Sequence, residues 1–253
     1  MSGHSKWHSI KHKKAAEDKK KGKIFTKHAK LIAVAARKGA DPDTNPALRT
    51  AIDNARAENM PFENIDRAIK KGSGESKDAA QIDEVMYEGY GPGGVALYIE
   101  ALTDNRNRTI ANLKMIFGKK GGNLGAAGSV GYMFQRRGLV EVPIEETSNQ
   151  KTAEEIELAA IEAGAEDVKR TDGLIAIYTA PQDVMQAKKK LEAAGIKVEA
   201  ARLTYLPTTE VPVNDPDTAK KLMELIEAIE EDDDVSAVYS NESISEEIME
   251  KIN

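Results

Sequence analysis

The sequence predicts an α+β multidomain protein: an N-terminal basic three-helix domain followed by two ferredoxin-like α/β domains. Three observations carry that expectation. Apolar residues in the first 72 positions recur at helical spacing, a small polar stretch at residues 71–80 interrupts them, and short strand and helix patterns then alternate with hairpin-like returns. At 253 residues the chain has room for two or three domains.

Lys6 to Lys23 is too polar and too dense in like charge to pack a core, so it is expected to be an arm that is mobile or only weakly helical when free. From Lys23 to Arg37, Ile24, Phe25, Leu31, Ile32 and Ala35 form one stripe, while Lys23, Lys27, Lys30 and Arg37 fall on the opposite arc at about 100° per residue. Gly39 stops this helix. Asn45 and Pro46 supply a cap and first turn for a second helix with Leu48, Ala51, Ile52 and Ala55 inward. Pro61 starts a third, carrying Phe62, Ile65 and Ile69 to a stop at Gly72. The short turn between these last two helices is compatible with a helix-turn-helix but not diagnostic of one.

Beyond the linker, Val95 to Leu102 alternates as a strand and Arg106 to Phe117 is an amphipathic helix through Ile110, Leu113 and Ile116. Short strands are expected at Tyr132 to Phe134, Leu139 to Val142 and Leu174 to Tyr178. Thr152 opens a helix with Glu155 at capping-box spacing. Pro181 opens another that ends at Gly195, followed by a strand near Lys197 to Leu203, a helix from Pro216 to about Ile229, a strand at Val235 to Tyr239 and a short final helix. The expected domains are residues 1–76, the basic arm plus a helical nucleic-acid-binding domain; 81–135 with 204–253, a discontinuous α+β domain; and 136–203, an inserted α+β domain. The discontinuity is inferred because neither outer piece alone holds enough strands for a covered sheet.

Composition narrows the function. The absence of cysteine excludes disulfides, thiolate zinc sites and cysteine nucleophiles. No run of about 18 apolar residues exists and the N-terminus lacks an apolar core, so neither a membrane span nor secretion is expected, and a cytoplasmic location is. The net charge of -6 conceals a strong asymmetry. Residues 1–40 hold 11 lysines and one arginine against Glu17 and Asp18, a balance of +10, whereas residues 205–253 hold three basic and 14 acidic side chains, a balance of -11. Twelve basic groups in forty positions, with Trp7 interleaved, are the footprint of a polyanion binder, and nucleic acid is preferred over an anionic membrane or an acidic protein. No RNP motif or zinc finger accompanies them, so phosphate contact and shape outweigh direct base readout.

Other constellations carry less. GYGPGG at residues 89–94 satisfies G-x-G-x-x-G but leads into a strand, so a strand-to-strand loop is preferred over a dinucleotide site. GKKGGNLGAAGSVG at residues 118–131 has six glycines but no Walker ending; its amides beside Lys119 and Lys120 would suit a phosphate backbone, and a mobile surface loop is the preferred alternative. His4, His8 and His12 would share one face of a helical arm, yet lack the four well-placed ligands of a structural zinc site, so no metal or cofactor is expected. All four histidines lie in the first 28 residues and no carboxylate pair stands out, which argues for a non-enzymatic protein.

Taken together, MSGHSKW (1–7), IKHKKAAEDKKKGKIFTK (10–27), DPDTNPALRTAIDNARAENMP (41–61), IDRAIKKGSG (65–74), YEGYGPGGVA (87–96) and ALTDNRNRT (101–109) resemble the YebC/PmpR family. That family also includes the mitochondrial translational activator of cytochrome oxidase subunit one. The resemblance runs through nearly the whole chain, departing only trivially where Ala40 replaces a common second glycine after Gly39. It implies three domains, one helical and two α/β, and a bacterial transcriptional regulator that binds DNA. Organellar and some bacterial relatives act instead on translation at the ribosome, which is the alternative. No transit segment precedes MSGHSKW, which points to the bacterial cytoplasmic kind. The residues expected to contact nucleic acid are Lys6, Trp7, Lys11, Lys13, Lys14, Lys19, Lys20, Lys21, Lys23, Lys27, Lys30 and Arg37, with Arg106, Arg108, Lys119 and Lys120 from the middle domain. The acidic domains are expected to face protein partners or to limit non-specific adhesion, and the Asp104-Asn105-Arg106-Asn107-Arg108 turn is either a functional contact or a polar helix start.

Overall fold

The computed structural model describes residues 17–75, 82–144, 151–171 and 173–252. The chain divides into two compact units, one gathering Met1–Phe134 and Pro207–Asn253 and the other Gln135–Leu206.

Among the described residues the first unit opens with three helices, α1 (Glu17–Ala36), α2 (Pro46–Ala57) and α3 (Phe62–Ser73). α1 begins six residues before the expected start, so Lys19, Lys20 and Lys21, expected on an arm either mobile or weakly helical, lie on helix. Lysine is a good helix former, so a run of lysines is compatible with helix. Ile32, Ala36, Leu48, Ile52, Ala55, Met60, Ile65 and Ala68 make a shared core, with Phe25, Ala29 and Ile69 packed against it. α2 and α3 both lie chiefly on α1, and less on each other, which is not the pairing of a helix-turn-helix. Asn45 caps α2 by accepting the Leu48 N–H at 3.2 Å, and its amide nitrogen donates to the Ala35 and Gly39 carbonyls at 2.8 Å. One side chain thus starts α2 and fastens the end of α1. Gly72 does not stop α3; the helix runs past it to a left-handed Gly74 at φ 83°. Gly72 serves instead for close approach, since a Cβ there would lie 2.1 Å from the Ala33 carbonyl oxygen of α1.

Strands β1 (Asp83–Tyr90) and β2 (Ala96–Thr103) form an antiparallel hairpin in register from Asp83↔Thr103 to Tyr90↔Ala96. GYGPGG therefore closes a hairpin, with Gly93 and Gly94 at φ 77° and 75°. Helix α4 (Arg106–Lys120) is followed by the short β3 (Asn123–Leu124), which pairs with β1; after the second unit, β8 (Val211–Pro212), α7 (Pro216–Glu230), β9 (Val235–Ser240), β10 (Glu242–Ser243) and α8 (Glu246–Ile252) complete the unit. The sheet order is β3-β1-β2-β9, and β8 pairs in parallel with β10. One face of β2, through Leu97, Ile99 and Ala101, is buried with Leu113 and Phe117 of α4 and Leu222, Leu225, Ile226 and Ile229 of α7. Burial on this scale, at about 1.5–3 kcal/mol per large side chain, supplies the main driving force for the unit. β1 had no sequence signal because DEVMYEGY does not alternate: its buried residues are the consecutive Tyr87, Glu88 and Gly89.

The second unit comprises β4 (Phe134–Pro143), α5 (Ala153–Ala163), β5 (Asp167–Thr171), β6 (Leu174–Thr179), α6 (Val184–Ala193) and β7 (Ala200–Pro207). Its order β5-β6-β4-β7 is the ferredoxin-like arrangement of a βαββαβ chain. Val140, Val142, Ile175 and Ile177 pack beneath Ile156, Ala160 and Leu191. Thr152 and Glu155 form the capping box at the start of α5. Two local expectations are corrected. Tyr132 to Met133 belongs to a 3-10 turn, with the strand starting at Phe134, and Pro181 to Asp183 is a turn before α6.

Gly72→Ala separates packing from propensity. On an open helix the change would gain up to about 1 kcal/mol; against the Ala33 carbonyl it is expected to cost about 2 kcal/mol in urea unfolding. Stabilisation would show that the two helices do not approach this closely.

Candidate nucleic-acid interface

Of the sequence-predicted contacts, Lys6, Trp7, Lys11, Lys13 and Lys14 lie outside the described residues, as do His4, His8 and His12. Lys19, Lys20 and Lys21 occupy the first turns of α1. Farther along that helix Lys23 and Lys27 are exposed and Lys30 is half-buried, and Arg37, in the turn just after it, is exposed. Lys23, Lys30 and Arg37 each bond to a distant part of the unit's own chain. Lys23 Nζ donates to the Glu231 carbonyl at 2.7 Å, Lys30 Nζ donates to the Asp233 carbonyl at 2.7 Å and pairs with Asp234 at 2.9 Å, and Arg37 Nη1 donates to the Ile82 carbonyl at 2.9 Å. Part of the acidic run after α7 thus meets the basic helix.

Asp234 is the centre of that contact. Only 4% exposed, its carboxylate accepts Arg108 Nη2 at 2.8 Å, Arg108 Nε at 3.2 Å, Thr109 Oγ1 at 2.9 Å and Thr103 Oγ1 at 3.2 Å besides Lys30. Burial pushes this carboxyl up, but the hydrogen bonds from Arg108, Lys30 and Thr109 and the Lys30 charge outweigh it and bring the pKa down to about 2. Asn105 caps α4 by accepting the Arg108 N–H at 3.1 Å, and Arg108 also reaches Asp104 at 2.9 Å. The DNRNR turn is thus a capped helix start that delivers Arg108 to Asp234. Arg106 pairs with Asp83 at 3.0 Å.

The glycine-rich loop is likewise occupied. Glu88, nearly buried in β1, accepts the Gly128 N–H at 2.7 Å, the Val130 N–H at 2.6 Å and the Gly131 N–H at 2.7 Å. Burial raises its carboxyl, yet these three amides hold it below the ordinary glutamate value. The backbone cradle that would suit a phosphate is filled by the chain's own carboxylate, and the loop is tied down further where Tyr90 Oη donates to the Ser129 carbonyl at 2.8 Å. Lys120 pairs with Glu224 at 3.1 Å, while Lys119 stays exposed.

Also exposed on the helical segment are Lys27, Lys38, Arg56, Arg67 and Lys71. Sequence periodicity placed Phe62 on the inward stripe of α3, whereas it is 69% exposed. The core places belong to Ile65 and Ala68, and Phe62, on the first turn, falls beyond the packed stretch. No helix among the described residues is long and apolar enough to cross a membrane. No group of three or more histidine or carboxylate side chains among the described residues is arranged to hold a metal.

Residues 5–75 match the family profile described as the TACO1/YebC protein N-terminal domain, and residues 82–242 match the TACO1/YebC second and third domain. A protein of Halothermothrix orenii named as a probable transcriptional regulatory protein is 51% identical over 253 residues, covering 100% of this chain and 99% of that protein. One of the same name from Persephonella marina is 50% identical and covers 100% of both chains. The crystal structure of a conserved hypothetical protein from Aquifex aeolicus superposes with a TM-score of 0.86 at 49% identity, covering 94% of this chain and 96% of that one.

Asp234→Asn is expected to lower stability at pH 7 by about 2 kcal/mol, the worth of a shift from 3.8 to about 2. Because the folded-state pKa is depressed, the contribution is fully present above the unfolded value near 3.8 and is lost as pH falls toward 2. Urea unfolding of both proteins should therefore show a gap that narrows below pH 4. A gap that stays constant from pH 7 to pH 2 would contradict this assignment.

Proposed function

The chain belongs to the TACO1/YebC family, and from that premise we propose that it is a non-enzymatic regulator of transcription that grips DNA through its basic N-terminal arm. The observation that carries this is the balance of +10 over residues 1–40. The names of its close relatives, probable transcriptional regulatory proteins, support the regulatory half of the proposal.

The physical basis is counterion release. Each lysine that meets a phosphate frees a condensed cation, so affinity rises with the number of contacts and falls steeply with salt. Lys6, Lys11, Lys13 and Lys14, with Lys19, Lys20 and Lys21 at the start of α1, form the densest cationic stretch and are assigned the phosphate contacts. Trp7 among them would add an apolar contact to sugar or base. Lys30 and Arg108 are assigned a structural role, because their charge is spent on Asp234. Lys119 and Lys120 flank a loop whose amides are filled by Glu88, and they contribute at most long-range attraction.

The test is a fluorescence-anisotropy titration of a 20-bp duplex at several salt concentrations, comparing wild type with the Lys11→Glu, Lys13→Glu, Lys14→Glu triple variant. Wild-type affinity should fall with salt as expected for on the order of six to ten phosphate contacts. The triple variant should lose at least about 100-fold at low salt, with a slope smaller by about three. Equal affinity of the two proteins at low salt would refute the proposal.

A further inference from the structure

Phe62 stands apart from the other three phenylalanines of the chain. Phe117 and Phe134 are buried and Phe25 is half-buried against the helical core, while Phe62 is 69% exposed. Its position is not a matter of side-chain choice. Ile65 and Ala68 lock the inward face of α3 against α1 and α2, and Gly72 lets that helix approach the Ala33 carbonyl too closely to roll. A rotation that hid Phe62 would expose Ile65, so the ring is held outward by the packing of the rest of the helix.

The surroundings select what can cover it. Phe62 lines an open groove with Glu63, Asp66, Arg67 and Lys70. Every other lining residue is charged, so there is no contiguous apolar patch of the size a protein interface uses. A single flat ring with charges around it fits a single flat partner. The charges are also arranged to admit an anionic one. Lys70 holds Asp66 at 2.7 Å, and Glu63 lies in the first turn of α3, where the positive end of the helix dipole compensates it. Arg67 is exposed on this face, and Lys71 follows one turn later.

We propose that Phe62 is a stacking platform for an unpaired nucleobase, with Arg67 and Lys71 meeting the adjoining phosphates. The assignment rests on the nucleic-acid reading above and extends it from backbone attraction to recognition of single-stranded segments. A base inside a duplex keeps its faces stacked on its neighbours and offers none to an isolated ring; an unpaired base, in RNA or in a melted DNA strand, offers both.

The experiment uses the full chain with 12-nucleotide single-stranded RNA, single-stranded DNA of the same sequence and the corresponding 12-bp DNA duplex, comparing wild type, Phe62→Ala and Phe62→Trp. Because Phe62 is exposed, the variants should unfold at the wild-type temperature. The alanine variant is expected to bind at least one of the two single strands roughly tenfold more weakly and the duplex unchanged, with tryptophan restoring the loss. Loss on both strands points to the base alone, and loss on RNA alone to a ribose contact as well. Equal losses on strand and duplex, no loss on either strand, or an oligomer in sedimentation equilibrium that dissociates on the alanine substitution would each overturn the proposal. Failure of the wild type to bind any of the three probes would instead remove the nucleic-acid reading on which it rests.

Discussion

The carboxylate of Asp234 is the joint on which the first unit depends. Within hydrogen-bond distance it gathers Lys30 from α1, Arg108 and Thr109 from α4 and Thr103 from the end of β2, while its own carbonyl accepts the Leu102 N–H at 2.7 Å. Helices and sheet are thereby joined through a charge that water hardly reaches. An unpaired carboxylate at that depth would be prohibitively costly, and two cations with two hydroxyls reverse the sign of the cost. The geometry is specific for the same reason: a displaced α1 would leave Asp234 short of a partner.

Charge in this protein therefore works at two levels. The strong polarity along the chain suggests two ends that face different partners, but in the folded chain part of each end answers the other. Lys23 and Lys30 meet the carbonyls and carboxylate of the loop after α7, and Glu88 fills the amides of the glycine-rich loop. Each pairing gives a group that composition suggested for phosphate contact a partner within the chain. Lys27, Arg56, Arg67 and Lys71 are also exposed on the helical segment, and Arg67 lines the groove that holds the exposed Phe62 ring. Membership of the TACO1/YebC family sets the biological frame.

What could be read from the sequence by itself was whatever depends on neighbours a few residues apart. The Asn45 and Thr152 caps, the helix from Pro216, the alternation in β2 and the hairpin over GYGPGG are all local patterns of period or spacing. The motifs that place the chain in its family are equally local strings. Where local pattern was silent, as in β1, or pointed the wrong way, as at Phe62 and Gly72, the outcome hung on a partner far along the chain. Only the tertiary structure could decide that Lys30 and Arg108 belong to Asp234, 204 and 126 residues away, and that Glu88 occupies the loop 40 residues on. The reason is physical: a cation in a sequence is a charge without a direction, and only folding determines whether a carboxylate or the solvent stands in front of it.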